Sequence, residues 1–323
     1  PMCPAGSEGQ RPAAAASAYP QGAGMMNRRR FISIAATIAA GTAFARQESL
    51  LRWHGVAMGA DVSIDLGRAS GRDGNAALAA AVDTIRRMEG LFSIYDPQSA
   101  LSRLNYHGRI IPEPEFLRLI QLVNVAHALT GGLFDPTVQS LVMARLQGKT
   151  PTAAERTRVG WNFVEFDAGE IRFCTPGMAM TLNGIAQGFA TDRVTEVLAS
   201  HGFTQTLVNI GEYRVGDRAT TIGIGGAAGN IMSIEDLRQA AIATSVPGSF
   251  MLNDRSSHIM NPKNPDASPI WASASVVAST ATMADAFSTA LVLANGTTLA
   301  ESLVRGSAKA IILENAAGEI SRI

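Results

Sequence analysis

Apolar and polar positions alternate from Trp53 to Leu66, broken at Met58-Gly59, which predicts two strands joined by a tight turn. The period then changes. Leu78, Val82, Ile85, Met88 and Leu91 recur at helical spacing, so a helix is expected from about Asn75 to Phe92, with Asp73 or Asn75 as its cap. A second helix over Glu115 to Leu129 runs into Gly131-Gly132, which supplies the dihedrals of a helix stop. A strand-rich middle is expected next, and then Gly184-Ile185-Ala186-Gln187-Gly188 opens a helix that runs to about Ser200. The apolar run Thr206 to Ile210 reads as a buried strand. Further strands are expected at Thr220 to Ile224, Ala240 to Thr244, Ala274 to Ser279 and Lys309 to Leu313, with helices over Thr282 to Leu293 and Thr298 to Arg305. No internal repeat or long linker interrupts this mixture. The expectation is an α+β fold, with residues 46–323 forming a single domain of mixed strands and packed helices.

With 323 residues, 46% of them hydrophobic and 17% charged, the chain is long enough to bury a sizeable core. Twenty-seven Lys and Arg balance twenty-seven Asp and Glu, which leaves no global field for nucleic acid or an acidic membrane surface. Residues 1–25, rich in Ala, Gly and Pro, read as a disordered extension. Residues 26–45 carry Asn27-Arg28-Arg29-Arg30-Phe31-Ile32-Ser33, an apolar stretch from Ile34 to Phe44, and Ala43-Phe44-Ala45. That pattern resembles a twin-arginine signal peptide cleaved after Ala45, so a periplasmic protein is expected. The alternative, a membrane anchor, is opposed by a run too short and too rich in Ala and Gly for ~30 Å of hydrocarbon. Of two cysteines, Cys3 falls in the discarded extension and Cys174 stands alone, so neither a disulfide nor a Cys-based metal site is expected.

Candidate chemistry is concentrated in five places. In Ser279 to Leu291 a single carboxylate, Asp285, sits among small and apolar helical residues, where a charge needs a partner. Thr289, four residues on, projects from the same helix face, so the two oxygens can converge on a hard cation such as Mg²⁺. The bland alternative is a carboxylate that complements the helix dipole and caps the first turn. His258, before the turn Asn261-Pro262, is suited to take a proton from a hydroxyl near neutral pH, or else to a structural hydrogen bond. Gly184 to Gly188 opens a helix, where unpaired N–H groups favour phosphate, although such glycines also serve close packing of helix on strand. Phe134-Asp135-Pro136-Thr137 and Phe92-Ser93-Ile94-Tyr95-Asp96-Pro97 each place an aromatic beside a carboxylate, useful for a flat ring with polar edges, or simply a capping turn.

In their order these segments resemble the ApbE family of FAD:protein FMN transferases. The resemblance runs from Gly55 to about Leu293 and includes Gly55 to Gly59, Leu101-Ser102-Arg103-Leu104-Asn105, Thr130 to Val138, Gly184 to Asp192, Val208-Asn209-Ile210-Gly211, His258-Ile259 and Ala284 to Ala290. It implies that FAD binds with its pyrophosphate on Mg²⁺, held by the side chains of Asp285 and Thr289 and the carbonyl of Gly184. It further implies flavin or adenine contacts from Met58, Tyr95, Phe134, Asp135, Gln187 and Ile259, with Thr181 at a further cofactor-binding position and His258 at that of the base. The implied acceptor is a Thr or Ser of an exported or membrane-attached electron-transfer subunit, which receives FMN as AMP leaves. Three departures stand out: Gln187 where the family commonly has Lys, Thr181 where it has Asp, and Thr244-Ser245-Val246 in place of Thr-Ser-Gly. Asn183 to Gly188 resembles a NosX-like branch that includes accessory proteins of nitrous oxide reductase. These departures keep open an FAD-binding or delivery protein without catalysis, and an FAD pyrophosphatase giving FMN and AMP is a third reading.

Overall fold

The computed structural model describes residues 50–68, 72–253 and 256–323, so the expected extension and signal peptide lie outside the described residues. The chain divides into two compact units. The first holds Gly90–Leu182 and Phe250–Ser268, and the second holds the described chain up to Glu89 together with Asn183–Ser249 and Pro269–Ile323.

The second unit is built on an eight-stranded antiparallel sheet whose spatial order follows the sequence. Its strands are β1 (Leu50–Ala57), β2 (Ala60–Arg68), β3 (Leu207–Ile210), β4 (Tyr213–Val215), β5 (Ala240–Ser245), β6 (Ser273–Ala278), β7 (Ala308–Glu314) and β8 (Ile320–Arg322). Every position of β6 is buried, as suits a strand covered on both faces. Register separates those faces, since Ile242 opposes Val277 on one and Ala243 opposes Val276 on the other. Val215, Ile242, Val277, Ala310 and Ile312 pack with Ile222, Ile224 and Leu237 of a hairpin formed by Thr220–Gly225 and Ile231–Leu237. Each large aliphatic side chain buried there contributes about 1.5–3 kcal/mol.

Small residues occupy the other face: Ala241, Ala243 and Ser245 of β5 alternate with the hairpin-facing set, as do Ala274, Val276 and Ala278 of β6. Helices therefore approach closely. After α1 (Arg72–Phe92) these are α2 (Ala186–Ser200), which packs on β3, and α3 (Ala281–Leu291), which packs on β5, β6 and α2. The last helix, α4 (Thr298–Gly306), packs on β7.

In the first unit, helices Ala100–His107, Pro114–Leu129 and Gln139–Leu146 accompany a small sheet of Arg109–Ile110, Ile171–Phe173 and Val164–Phe166. The expected strand-rich middle is corrected here. Between Val138 and Gly184 only two three-residue strands form, beside helices Gln139–Leu146 and Ala153–Arg156, because Pro151, Gly160 and Pro176-Gly177 keep breaking the apolar runs. Helix Ala100–His107, not anticipated, has its own start and stop: Ser99 Oγ accepts from Ser102 N–H, and Gly108 turns left-handed at φ 73°. The expectation that Cys174 forms no disulfide turns on Cys3, which lies outside the described residues. No described helix is long and apolar enough to cross a membrane.

Candidate active site

The second unit gathers its candidate groups where α2 and α3 cross. At the start of α3 the free N–H groups are taken up by Thr280 Oγ1, which accepts from Met283, and by Asp192 of α2. The Asp192 carboxylate accepts from Ala281 N–H and Thr282 N–H, both at 2.9 Å, and from Thr282 Oγ1 at 2.6 Å. In return, Asp285 Oδ2 accepts from Gly188 N–H, in the first turn of α2, at 3.1 Å. Each helix thus places a carboxylate on the other's positive end. The bland alternative for Asp285 changes accordingly, because it serves the neighbouring helix and not its own. A Cβ on Gly188 would lie 2.3 Å from the carbonyl oxygen of Ala281, so only glycine permits this crossing.

Asp285 is only 4% exposed, and Thr289 stands one turn further along the same face. Ser288 Oγ donates to the Asp285 carbonyl at 2.9 Å and lies 2.8 Å from Ser245 Oγ, which in turn is 3.4 Å from Thr289 Oγ1. A Cβ built on Gly184 would sit 2.8 Å from Thr289 Oγ1, so the Gly184 backbone lies against that hydroxyl. Gly184, Asp285 and Thr289 are therefore brought together, and Ser245 joins them. Among the described residues no three of His, Cys, Asp and Glu converge. The cluster is instead one carboxylate among neutral hard oxygens, which suits Mg²⁺, an ion that keeps several water or phosphate ligands and needs few from the protein.

Met58 stands in the same unit, at the turn between β1 and β2. Its φ of 50° and that of Gly59, 74°, are both left-handed, the geometry of a two-residue hairpin turn closed by the pair Ala57 and Ala60. A methionine in that region is strained. Two side chains hold it: Glu89 Oε1 accepts from Met58 N–H at 2.6 Å, and Gln187 Nε2 donates to the Met58 carbonyl at 3.0 Å. Gln187 packs against Gly211, where a Cβ would lie 2.8 Å from the Gln187 amide carbon. Sequence reasoning assigned no role to Glu89 or Asp192. For Asp192 the signal was present, a carboxylate in the apolar helical run after Gly188. For Glu89 there was none, since it lies on the polar stripe of an amphipathic helix.

The first unit holds the remaining candidates. Asp135 spends one oxygen on its own loop and the other on a distant segment: Oδ1 accepts from Thr137 N–H (2.9 Å) and Oγ1 (2.6 Å), and Oδ2 from Trp161 N–H (3.0 Å). This is the capping turn weighed as the alternative. Phe134 is buried beside it, its carbonyl accepting from His127 Nδ1 at 3.0 Å. Thr181 joins the loop through its N–H, which donates to the Pro136 carbonyl at 2.9 Å. Just before it, Met180 is held at both main-chain groups by Asn105, at 2.7 and 2.8 Å.

Tyr95, 57% exposed, sits on a separate turn organised by Ser93 Oγ, which accepts from Tyr95 and Asp96 N–H, each at 3.1 Å. His258 Nδ1 lies 2.8 Å from the Phe250 carbonyl, and Ile259 N–H donates to Ser257 Oγ at 3.0 Å. A carbonyl only accepts, so Nδ1 carries the hydrogen and the neutral ring keeps its basic lone pair on Nε2. Lys263 Nζ ties this segment to the Gly131 carbonyl at 2.7 Å.

Solved structures similar to this chain include three ApbE proteins. The flavin transferase ApbE from Vibrio cholerae is 21% identical with a TM-score of 0.73, over 85% of this chain and 97% of that one. The ApbE protein from Thermotoga maritima is 23% identical at a TM-score of 0.74, with the same two coverages of 85% and 97%. The flavinyl transferase ApbE of Pseudomonas stutzeri is 21% identical at 0.73, over 85% and 94%. No curated protein sequence matches the chain. The profile of the ApbE family matches residues 58–312, from the strained turn of β1 and β2 to the penultimate strand, and the chain belongs to the ApbE family.

Proposed function

We propose that the chain is a flavin transferase that cleaves FAD and attaches FMN, through a phosphoester, to a Thr or Ser of an exported electron-transfer protein, releasing AMP in a Mg²⁺-dependent reaction. The observation that carries this reading is the oxygen cluster of Gly184, Asp285 and Thr289 beside the first turn of α2. Family membership and the flavin transferases among the similar structures support it. When bound, Mg²⁺ would neutralise the FAD pyrophosphate and favour charge build-up during phosphoryl transfer. The chain's own contributions are the Asp285 carboxylate and Thr289 hydroxyl as ligands, and a basic Nε2 on His258. The acceptor hydroxyl loses its proton to that nitrogen, its oxygen bonds to the FMN phosphorus, and the bond from that phosphorus to the bridging oxygen breaks, so AMP departs. Met58, Tyr95, Phe134, Asp135, Thr181, Gln187 and Ile259 are assigned to FAD contacts on the strength of the resemblance. Its Asn183 to Gly188 pattern supports a place in the NosX-like branch. Delivery by the twin-arginine route to the periplasm and a membrane-attached acceptor complete the proposal.

The purified chain, given FAD, Mg²⁺ and a peptide bearing the acceptor Thr, is expected to add one FMN to the peptide mass. Asp285→Ala is expected to abolish the gain while the fold persists. A wild-type protein that never yields the mass gain overturns the reading. One observation favours a second reading: Gln187 brings no cation and is engaged with Met58, as in a protein that binds and delivers FAD unchanged. FAD recovered intact after long incubation with Mg²⁺ would select that reading, and FMN with AMP in the absence of acceptor would select a pyrophosphatase.

A further inference from the structure

We propose that Asp192 is a positioning residue for the cation half-site of Gly184, Asp285 and Thr289, acting through the start of α3; this rests on the reading above. Asp192 touches none of those three groups through any bond described. Its carboxylate is 8% exposed and accepts three hydrogen bonds of 2.6–2.9 Å from Ala281 and Thr282. Two of the donors are main-chain N–H groups in the first turn of α3, and the third is the Thr282 hydroxyl, so the grip fixes both the rotation of α3 about its axis and its position along α2. Rotation decides where Asp285 and Thr289 point, since one residue of slippage turns a helix by about 100°. Arg214 Nε stands 3.8 Å from Asp192, an opposite charge beside the carboxylate.

The return contact makes the arrangement mutual. Asp285 Oδ2 rests on Gly188 N–H in the first turn of α2, the helix that carries Asp192, and Gly184 precedes that turn. The two carboxylates thus set the spacing of α2 and α3 at two contacts one helical turn apart, and the half-site lies beside the contact made by Asp285. Charge-assisted bonds of this kind are about twice as strong as neutral ones, which suits a joint that must hold ligands in place. Removing a partner one layer out from a metal ligand typically weakens metal binding by about ten- to a hundredfold.

Asp192→Asn tests the idea, because the amide preserves shape while losing the charge and one acceptor oxygen. Mn²⁺ binding in the presence of FAD, read by electron paramagnetic resonance, is expected to weaken about ten- to a hundredfold. Turnover is expected to shift with it: the Mg²⁺ concentration for half-maximal flavin transfer rises by a similar factor, and saturating Mg²⁺ restores most of kcat. A scaffold role alone would lower the melting temperature and leave the metal titration where it was. Thr282→Val, which removes only the 2.6 Å bond, is expected to give a smaller shift in the same direction, and it carries the test should Asp192→Asn fail to fold. Equal Mn²⁺ affinity in the wild type and in whichever variant folds overturns the positioning role. Weakened Mn²⁺ binding in the variant, together with a wild type that transfers no FMN, sustains the positioning role and overturns the transferase reading.

Discussion

Met58 adopts a backbone conformation that asparagine or glycine would occupy with less strain, and it does so between two hydrogen bonds that leave it no alternative. Strain retained at one residue marks a place where the side chain matters more than the turn. Met58→Gly is expected to raise stability by about 1 kcal/mol in denaturant unfolding, while FAD affinity, read by quenching of flavin fluorescence, falls. Glu89→Ala is expected to act oppositely on stability, lowering it by about 1–3 kcal/mol, because the Met58 N–H loses its acceptor. At this scale the sequence was readable wherever a polar group stood in improbable surroundings. Asp285 was found because a carboxylate among Ala, Phe and Ser has to be explained. Glu89 escaped because nothing about a glutamate on the outer stripe of α1 reveals a turn more than thirty positions away in sequence.

The crossing of α2 and α3 is an element-scale device, and glycine is its limiting component. Gly188→Ala would drive a methyl group against a main-chain oxygen that cannot rotate away, at 2.3 Å, and against the Asp285 Cβ at 2.9 Å. A loss of about 3 kcal/mol in unfolding free energy is expected, larger than a helical Gly→Ala change gains from propensity. Helices of the second unit were legible to within a few residues from their apolar periodicity, although the expected cap of α1 was misplaced, since the helix starts at Arg72 and holds Asp73 and Asn75 inside it. Strand Ile231–Leu237 was not legible. Its Ile231 and Ile234 face outward while Glu235 is buried, so the pattern runs against the environment. Only pairing with Thr220–Gly225 and a cation from far along the chain make that segment a strand.

That cation is Arg322 of β8, whose guanidinium takes both oxygens of Glu235 and so ties the hairpin to the last strand of the sheet. Burial by itself would push the Glu235 carboxyl up, but bonds from Arg322 and from Ser233 Oγ outweigh it and hold the group below the usual carboxylate value. A depressed carboxylate contributes stability above its unfolded pKa and loses that contribution as pH falls through the folded value. Glu235→Gln is therefore expected to lower stability by about 0.5–1 kcal/mol near neutrality. The difference should begin to shrink as pH falls past the ordinary carboxylate value of about 4.3 and disappear below the lower folded value, which melting curves of the two proteins across the acid range would show.

The sheet's neighbours in space are neighbours in sequence, yet two joins are long: Gly90–Leu182 is made between β2 and β3, and Phe250–Ser268 between β5 and β6. Equilibrium stability tolerates such insertions, because the entropy of closing a loop grows only logarithmically with its length. Biosynthesis is less forgiving. A ribosome releases the β1–β2 hairpin early, and its open flank then waits for Leu207–Ile210 through the whole inserted stretch, ready to pair with any other extended chain. The order of the strands thus sets how long that edge goes without its partner during synthesis.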